Sequence, residues 1–148
     1  MTIQKMHAAV DGLELIIGAK KDQVFGMVLM VGSGGIAAEL MNDRAVELPP
    51  LNERLARRML ESLESWPLLN GYRGRRPCNG EKLIEVLMRV SYLVAEHPEI
   101  KELDVNPLLV TPNEVTALDA RIILDPDVLG QQVRPYAHLA IRPYPEEF

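Results

Sequence analysis

Residues 13–20 alternate, with Leu13, Leu15, Ile17 and Ala19 on one side and Glu14, Ile16, Gly18 and Lys20 on the other. A repeat of two residues is that of a strand with one face buried. Lys21-Asp22-Gln23 reads as a turn and Gly26 to Val31 as a second, more apolar strand, so the spacing predicts an antiparallel pair. The loop Gly32-Ser33-Gly34-Gly35 follows, then a short apolar run from Ile36 to Leu40. A turn at Asn42-Asp43 leads to the strand-like residues 44–48, closed by Pro49-Pro50. From Asn52, the expected N-cap, the period becomes helical, with Leu55, Met59, Leu63 and Trp66 along one stripe. The segment from Pro67 to Pro77 reads as a loop. A second helix opens near Asn79, carries Leu83, Leu87, Val90 and Val94 at helical spacing with Ile84 and Met88 beside them, and stops before His97-Pro98.

The stretch from Glu102 to Leu124 consists of two alternating runs flanking Pro112-Asn113, the pattern of a β-hairpin. A loop centred between those two residues sets Asn106 opposite Asp119. Glu102, Asp104 and Asn106 then share one face with Ala117, Asp119, Arg121 and Ile123. Opposed residues have Cβ atoms roughly 4.5–5.5 Å apart, near enough for an amide oxygen and a carboxylate to bind one hard cation. Asn106 and Asp119 are therefore candidate magnesium ligands. The same stripe also fits the solvated face of an amphipathic hairpin with Asp104 paired to Arg121, and spacing alone leaves both readings open.

Strands, helices and strands in that order predict an α+β fold, a mostly antiparallel sheet with two helices packed on one face. The other face, with its carboxylates and glycines, is where a ligand or another domain should sit. Residues 1–125 form the expected domain, and residues 126–148 a less regular tail or linker. The length of 148 residues, with 47% hydrophobic and 25% charged residues, suits one globular domain rather than a disordered chain. A net charge of −5 argues against an electrostatic grip on nucleic acid. No apolar run reaches the roughly 18 residues of a membrane span and no signal peptide opens the chain, so a cytoplasmic location is expected. The single cysteine, Cys78, permits no intrachain disulfide and reads as structural.

Gly32-Ser33-Gly34-Gly35-Ile36-Ala37 formally meets a dinucleotide-binding pattern, but the run after it is too short for a crossover helix. A tight turn between strands fits better. Arg73, Arg75 and Arg76 would suit an anionic phosphate, although solvated loop charges are the commoner use of such residues. Glu14 lies on the strand face opposite the Leu13, Leu15 and Ile17 stripe, where an exposed strand glutamate is the commoner reading and a ligand contact the alternative.

Several of these stretches resemble, in order, the second half of the ATP-grasp domain of ADP-forming acyl-CoA synthetases, relatives of the succinyl-CoA synthetase β subunit. They are Glu14-Leu15-Ile16-Ile17-Gly18, Phe25-Gly26, Gly34-Gly35-Ile36, Pro67-Leu68-Leu69 with Gly71-Tyr72-Arg73-Gly74, Leu103-Asp104-Val105-Asn106-Pro107-Leu108 and Ala117-Leu118-Asp119-Ala120-Arg121. The tail Leu139-Ala140-Ile141-Arg142-Pro143-Tyr144-Pro145 resembles the junction that precedes a GNAT-type acetyltransferase domain in Pat-type protein lysine acetyltransferases.

The resemblance implies ATP or ADP and Mg2+ as cofactors. By it, Asn106 and Asp119 match the family's magnesium ligands, and Asp104 matches an acidic position near the phosphohistidine that carries phosphate from an acyl-phosphate to ADP. Glu14 matches a nucleotide-contacting glutamate at the ribose, Gln4 and Met6 belong to the segment beside the adenine, and Arg121 completes the nucleotide-contacting set. Glu47 departs from the basic residue that many relatives carry on that strand. The implied partners are an N-terminal ATP-grasp lobe, a CoA-binding domain and nucleotide, with a homo-oligomer also open. The chain then reads as a piece of a longer synthetase, inactive alone. The rival reading is a non-catalytic sensing module attached to an acetyltransferase, and a third is an independent small binding protein.

Overall fold

The computed structural model describes residues 12–35 and 42–131. In chain order these form β1 (Leu13–Asp22), β2 (Gly26–Ser33), β3 (Arg44–Glu47), α1 (Glu53–Glu61), α2 (Trp66–Leu69), α3 (Gly80–Glu96), β4 (Ile100–Val110), β5 (Val115–Ala117) and β6 (Ala120–Leu124). Every strand pairing is antiparallel, and the sheet runs β3-β2-β1-β4-β5, with β6 also paired to β4. The fold is the expected α+β sheet with helices on one face. Because β2 and β3 are antiparallel neighbours, no Rossmann crossover follows the glycine turn.

Alternation along the strands decides which face the helices cover. Leu15, Ile17 and Ala19 of β1, Met27, Leu29 and Val31 of β2, and Leu103, Val105, Leu108 and Val110 of β4 are buried. They meet Ala56, Met59 and Leu60 of α1 and Leu83, Ile84, Leu87 and Val94 of α3 in one core. Burying one such aliphatic side chain stabilises the fold by about 1.5–3 kcal/mol, and this layer of leucines, isoleucines and valines is the main source of stability.

The two longer helices, α1 and α3, begin where a side chain satisfies a free backbone amide. Asn52 Oδ1 accepts from Leu55 N at 2.9 Å, and Asn79 Oδ1 accepts from Lys82 N at 3.0 Å. Arg57 donates to Glu53 within α1 and to Glu81 of α3, linking the two helices at the surface. In the interior, Ser91 of α3 accepts from Leu51 N at 3.0 Å and donates to Met88 O at 2.7 Å.

The stripe from Leu55 to Trp66 does not lie on one continuous helix. α1 ends at Glu61, and a third helix, α2, opens at Trp66 within what reads as a helix end and loop. The physical reason is Asp43, whose carboxylate accepts from Glu64 N at 2.7 Å and Ser65 N at 2.9 Å. Those amides are drawn out of the helical ladder, and Pro67 then occupies the first turn of α2, where its missing N–H costs nothing.

At the far edge of the sheet, Ile122, Ile123 and Leu124 of β6 are exposed. After β6, Asp125 N donates to Glu99 O at 2.7 Å and its carboxylate pairs with Lys21 at 3.4 Å, which fastens the end of the hairpin to β1. Among the described residues no helix is long and apolar enough to cross a membrane.

Candidate functional site

The hairpin has the register that its turn dictates. Thr111 N donates to Glu114 O at 2.9 Å, leaving Pro112 and Asn113 as the loop, while Thr111 Oγ1 accepts from the amides of Asn113 and Glu114. From there Val110 pairs with Val115 and Leu108 with Ala117, and beyond a short break Val105 pairs with Ala120 and Asp104 with Arg121. Within that break Asn106 N donates to Asp119 O at 3.1 Å and Leu118 N to Pro107 O at 3.0 Å. Asn106 and Asp119 are thus brought opposite each other, and both are exposed.

On its other side β4 carries one residue more than β1. Leu15 pairs with Leu108 but Ile17 with Val105, so Ile16 faces both Asn106 and Pro107. A bulge of this kind re-aims a side chain without disturbing the strand on either side of it. Here it lets Leu103 and Val105 before it, and Leu108 and Val110 after it, all point into the core. Asp104 and Asn106 are left on the open face.

Pairings across that face give two adjacent rows. One holds Arg44, Gly32, Ile16, Asn106 and Asp119, and the next holds Val46, Met30, Gly18, Asp104 and Arg121. Residues two apart along a strand are separated by about 6.6 Å, so Asp104 lies one such step from the Asn106–Asp119 pair. In the second row a cavity of about 350 Å3 opens over Gly18 and Met30, walled by Lys20, Val46, Glu102 and Asp104. A methyl group on Gly18 would come within 3.3 Å of Met30 Cε, so the missing side chain keeps the floor of the cavity low.

Arg121 pairs with Glu102 at 3.4 Å rather than with Asp104, its neighbour in register. That corrects the expected Asp104–Arg121 pair. The guanidinium reaches two residues along the partner strand to Glu102, which is half-buried while Arg121 is mostly exposed. Glu47 lies on the helix side of the sheet and accepts from Arg58 of α1 at 2.6 Å, so this acidic residue is withdrawn from the open face altogether.

Glu14 is exposed on β1 beside the glycine turn. Gly34 N donates to Glu14 O at 2.8 Å, and Gly35, at φ +74°, has Glu14 Oε2 3.3 Å from where a Cβ would stand. The turn itself is held by Asp43, which is 8% exposed. Ser33 Oγ donates to Asp43 Oδ2 at 2.7 Å and lies 2.9 Å from Ser65 Oγ, while Ser33 N donates to Asp43 O at 3.0 Å. Burial, the largest single influence, pushes the Asp43 carboxyl up. Hydrogen bonds from Ser65, Ser33 and the Glu64 and Ser65 amides together outweigh it and hold the group below its ordinary 3.8. Asp43 is the member of this region that reading the sequence missed, since Asn42-Asp43 passes for a simple turn.

The remaining expectations divide plainly. Gln4 and Met6, the run from Ile36 to Leu40 and the tail motif Leu139–Pro145 lie outside the described residues. Arg73 stacks on Tyr72 at 5.1 Å in an exposed loop. Cys78 Sγ lies 3.5 Å from Val110 O and packs against the core, the structural role expected of it.

Among the described residues no three His, Cys, Asp or Glu side chains gather into a metal cage. What the open face offers is one amide and one carboxylate on paired strands. That set fits magnesium, which keeps several waters and takes one or two protein oxygens together with substrate phosphates.

Comparison with known proteins places these features in a family. Residues 1–124 match the model of an ATP-grasp domain. The chain is 38% identical over 113 residues to the β subunit of acetate–CoA ligase (ADP-forming) I from Pyrococcus furiosus, covering 76% of this chain and 49% of that subunit. It is 46% identical over 99 residues to 4-hydroxybutyrate–CoA ligase (ADP-forming) from Nitrosopumilus maritimus, covering 67% of this chain and 14% of that enzyme. Among solved structures, the dinucleotide-forming acetyl-coenzyme A synthetase 1 of Ca. Korarchaeum cryptofilum superimposes with a TM-score of 0.74 at 38% identity, covering 77% of this chain and 54% of that one. That structure holds coenzyme A and Mg-AMPPCP, with a phosphohistidine segment pointing towards the nucleotide site. The chain therefore spans about half or less of the length of these relatives.

Proposed function

The chain belongs to the ATP-grasp family, and from that premise we propose that it is the carboxyl-side lobe of an ADP-forming acyl-CoA synthetase, supplying magnesium and nucleotide contacts for phosphoryl transfer. It is homologous to the β subunit or domain of ADP-forming acetyl-CoA synthetases. The observation that carries the reading is the Asn106–Asp119 pair, set opposite each other on the face that no helix covers.

In this reading Asn106 and Asp119 hold Mg2+, which when bound neutralises phosphate charge. Glu14 accepts from the ribose hydroxyls, and Gln4 and Met6 lie beside the adenine. Asp104, half-buried one step from the metal pair, faces the phosphohistidine. Arg121, anchored by Glu102, offers a positive group at the edge of the phosphates. The open face is acidic on balance at this end, with Glu102, Asp104 and Asp119 against Lys20 and Arg121. An anionic nucleotide therefore meets repulsion unless a cation accompanies it. Positioning and exclusion of water require a second wall. The partners in this reading are thus the N-terminal ATP-grasp lobe and the CoA-binding domain with its mobile histidine.

The test is consumption of ATP, acetate and CoA by the intact synthetase, with titration of Mg-ADP against the protein and against Asp119→Ala. Formation of ADP and acetyl-CoA, with binding weakened in the variant, is expected. A folded protein without acyl-CoA formation overturns the synthetase reading, and equal binding by both forms removes Asp119 from the site.

The second reading, a sensing module joined to a protein acetyltransferase, rests on the tail motif Leu139–Pro145. The relatives described above are named as acyl-CoA ligases or synthetases, which favours the first reading. Lysine acetylation without net acyl-CoA synthesis would favour the second.

A further inference from the structure

Asp43 is more than the cap of a helix junction. A cap needs only the amides of Glu64 and Ser65, which Asp43 does accept. The same residue also grips the glycine turn twice, through its carboxylate to Ser33 Oγ and through its carbonyl to Ser33 N. The next residue of the turn, Gly34, donates to Glu14 O, and a Cβ there would stand 3.0 Å from the Glu14 carbonyl, so turn and strand are in close contact. Gly35 then leaves the space into which the Glu14 carboxylate leans. A cavity of about 170 Å3 separates Ser33 and Gly34 from Leu68 and Leu69. The polar tie holds the turn across that gap.

We propose that Asp43, acting through Ser33 and the Gly34-Gly35 turn, is a positioning residue that fixes the Glu14 carboxylate in the orientation that receives the ribose hydroxyls of the nucleotide. This rests on the assignment of Glu14 to the nucleotide made above. The chain of contacts is short: one hydroxyl, one amide and one side chain-free α-carbon lie between the two carboxylates. Its effect falls on nucleotide affinity, because Glu14 lies on a different strand from the phosphate-handling residues of β4 and β6.

Ser33→Ala removes the side-chain tie to the turn, keeps the backbone bond from Ser33 N to Asp43 O, and leaves the helix-junction amides on Asp43. Ser65→Ala removes the hydroxyl that meets Ser33 Oγ from the helix side and leaves both bonds from Ser33 to Asp43. Measured on the intact synthetase, the dissociation constant of Mg-ADP is expected to rise about five- to tenfold in Ser33→Ala, the worth of one well-placed hydrogen bond. It should stay within about twofold in Ser65→Ala, although both variants lower the melting temperature. In a Glu14→Ala background, Ser33→Ala should add nothing. Equal effects of the two serine variants, or a Ser33→Ala effect undiminished without Glu14, overturn the proposal. If Glu14→Ala weakens binding while Ser33→Ala does not, only the positioning role falls. If Glu14→Ala binds as tightly as the parent, the Glu14 assignment and the positioning role fall together.

Discussion

The backbone amide of Asn106 donates to the carbonyl of Asp119, and this one bond fixes where both side chains stand. It spans the break between β5 and β6, opposite the bulge that turns Asn106 to the open face.

Because both residues are exposed, their chemistry separates from stability. Asn106→Ala and Asp119→Ala should each lower acyl-CoA synthesis by about 100-fold or more through loss of the magnesium site. Their unfolding free energies should change by no more than about 0.5 kcal/mol, the usual range for surface positions. Steady-state rates at saturating magnesium and denaturant melts, taken on the same preparations, check both halves.

Removing magnesium should abolish detectable nucleotide binding rather than merely weaken it. The acidic groups around the Asn106–Asp119 pair repel an unaccompanied polyphosphate. Calorimetric titration of ADP with chelator present, against the same titration with magnesium, reads the difference directly. Comparable affinities in the two would contradict the assignment of the pair.

Asp43 should make stability depend on acid. Its carboxyl is held below 3.8 when folded, so its contribution is present in full above the unfolded value of about 4. It is lost as pH falls through the lower, folded value. Asp43→Asn strands donors that the carboxylate now satisfies, and should cost about 2–3 kcal/mol at pH 7. The gap between the variant and the parent should narrow as pH falls below 4. A pH series of chemical denaturation for both proteins tests the sign, and a constant gap across that range would refute it.

Ser91 offers a cleaner measure of one interior hydrogen bond. It is fully buried and accepts from Leu51 N just ahead of α1. Ser91→Ala leaves that buried amide without its partner and should destabilise by about 1–3 kcal/mol. Breaking the Glu47–Arg58 pair by Glu47→Gln should instead cost at most about 1 kcal/mol, because Arg58 is largely exposed. Thermal melts of the two variants side by side would rank them.

Much of this was legible in the residues because it depends on short-range rules. The alternation of Leu13 to Ala19 names the buried face of β1, Asn52 and Asn79 mark both long helices, and Pro112-Asn113 sets the register that places Asn106 against Asp119. What stayed hidden depends on contacts between distant parts of the chain. The break between α1 and α2 follows from Asp43 taking amides more than twenty positions away, and no periodicity within residues 53–66 announces it. The partner chosen by Arg121 was equally invisible, since register gives neighbours but not side-chain reach.

The bulge at Asn106-Pro107 also restricts how the gene can vary. β4 meets β1 in one register before it and another after it, and core residues lie on both sides. Deleting a single codon between Val105 and Leu108 would leave one β4 residue opposite Leu118 and Asp119, and adding one would leave three, so either change would break the facing of Asn106 and Asp119. Single-residue insertions and deletions should therefore be far rarer among functional variants in this stretch than amino-acid replacements. A library scanning both kinds of change across residues 100–124 would show a sharp trough in tolerated length changes centred on Pro107.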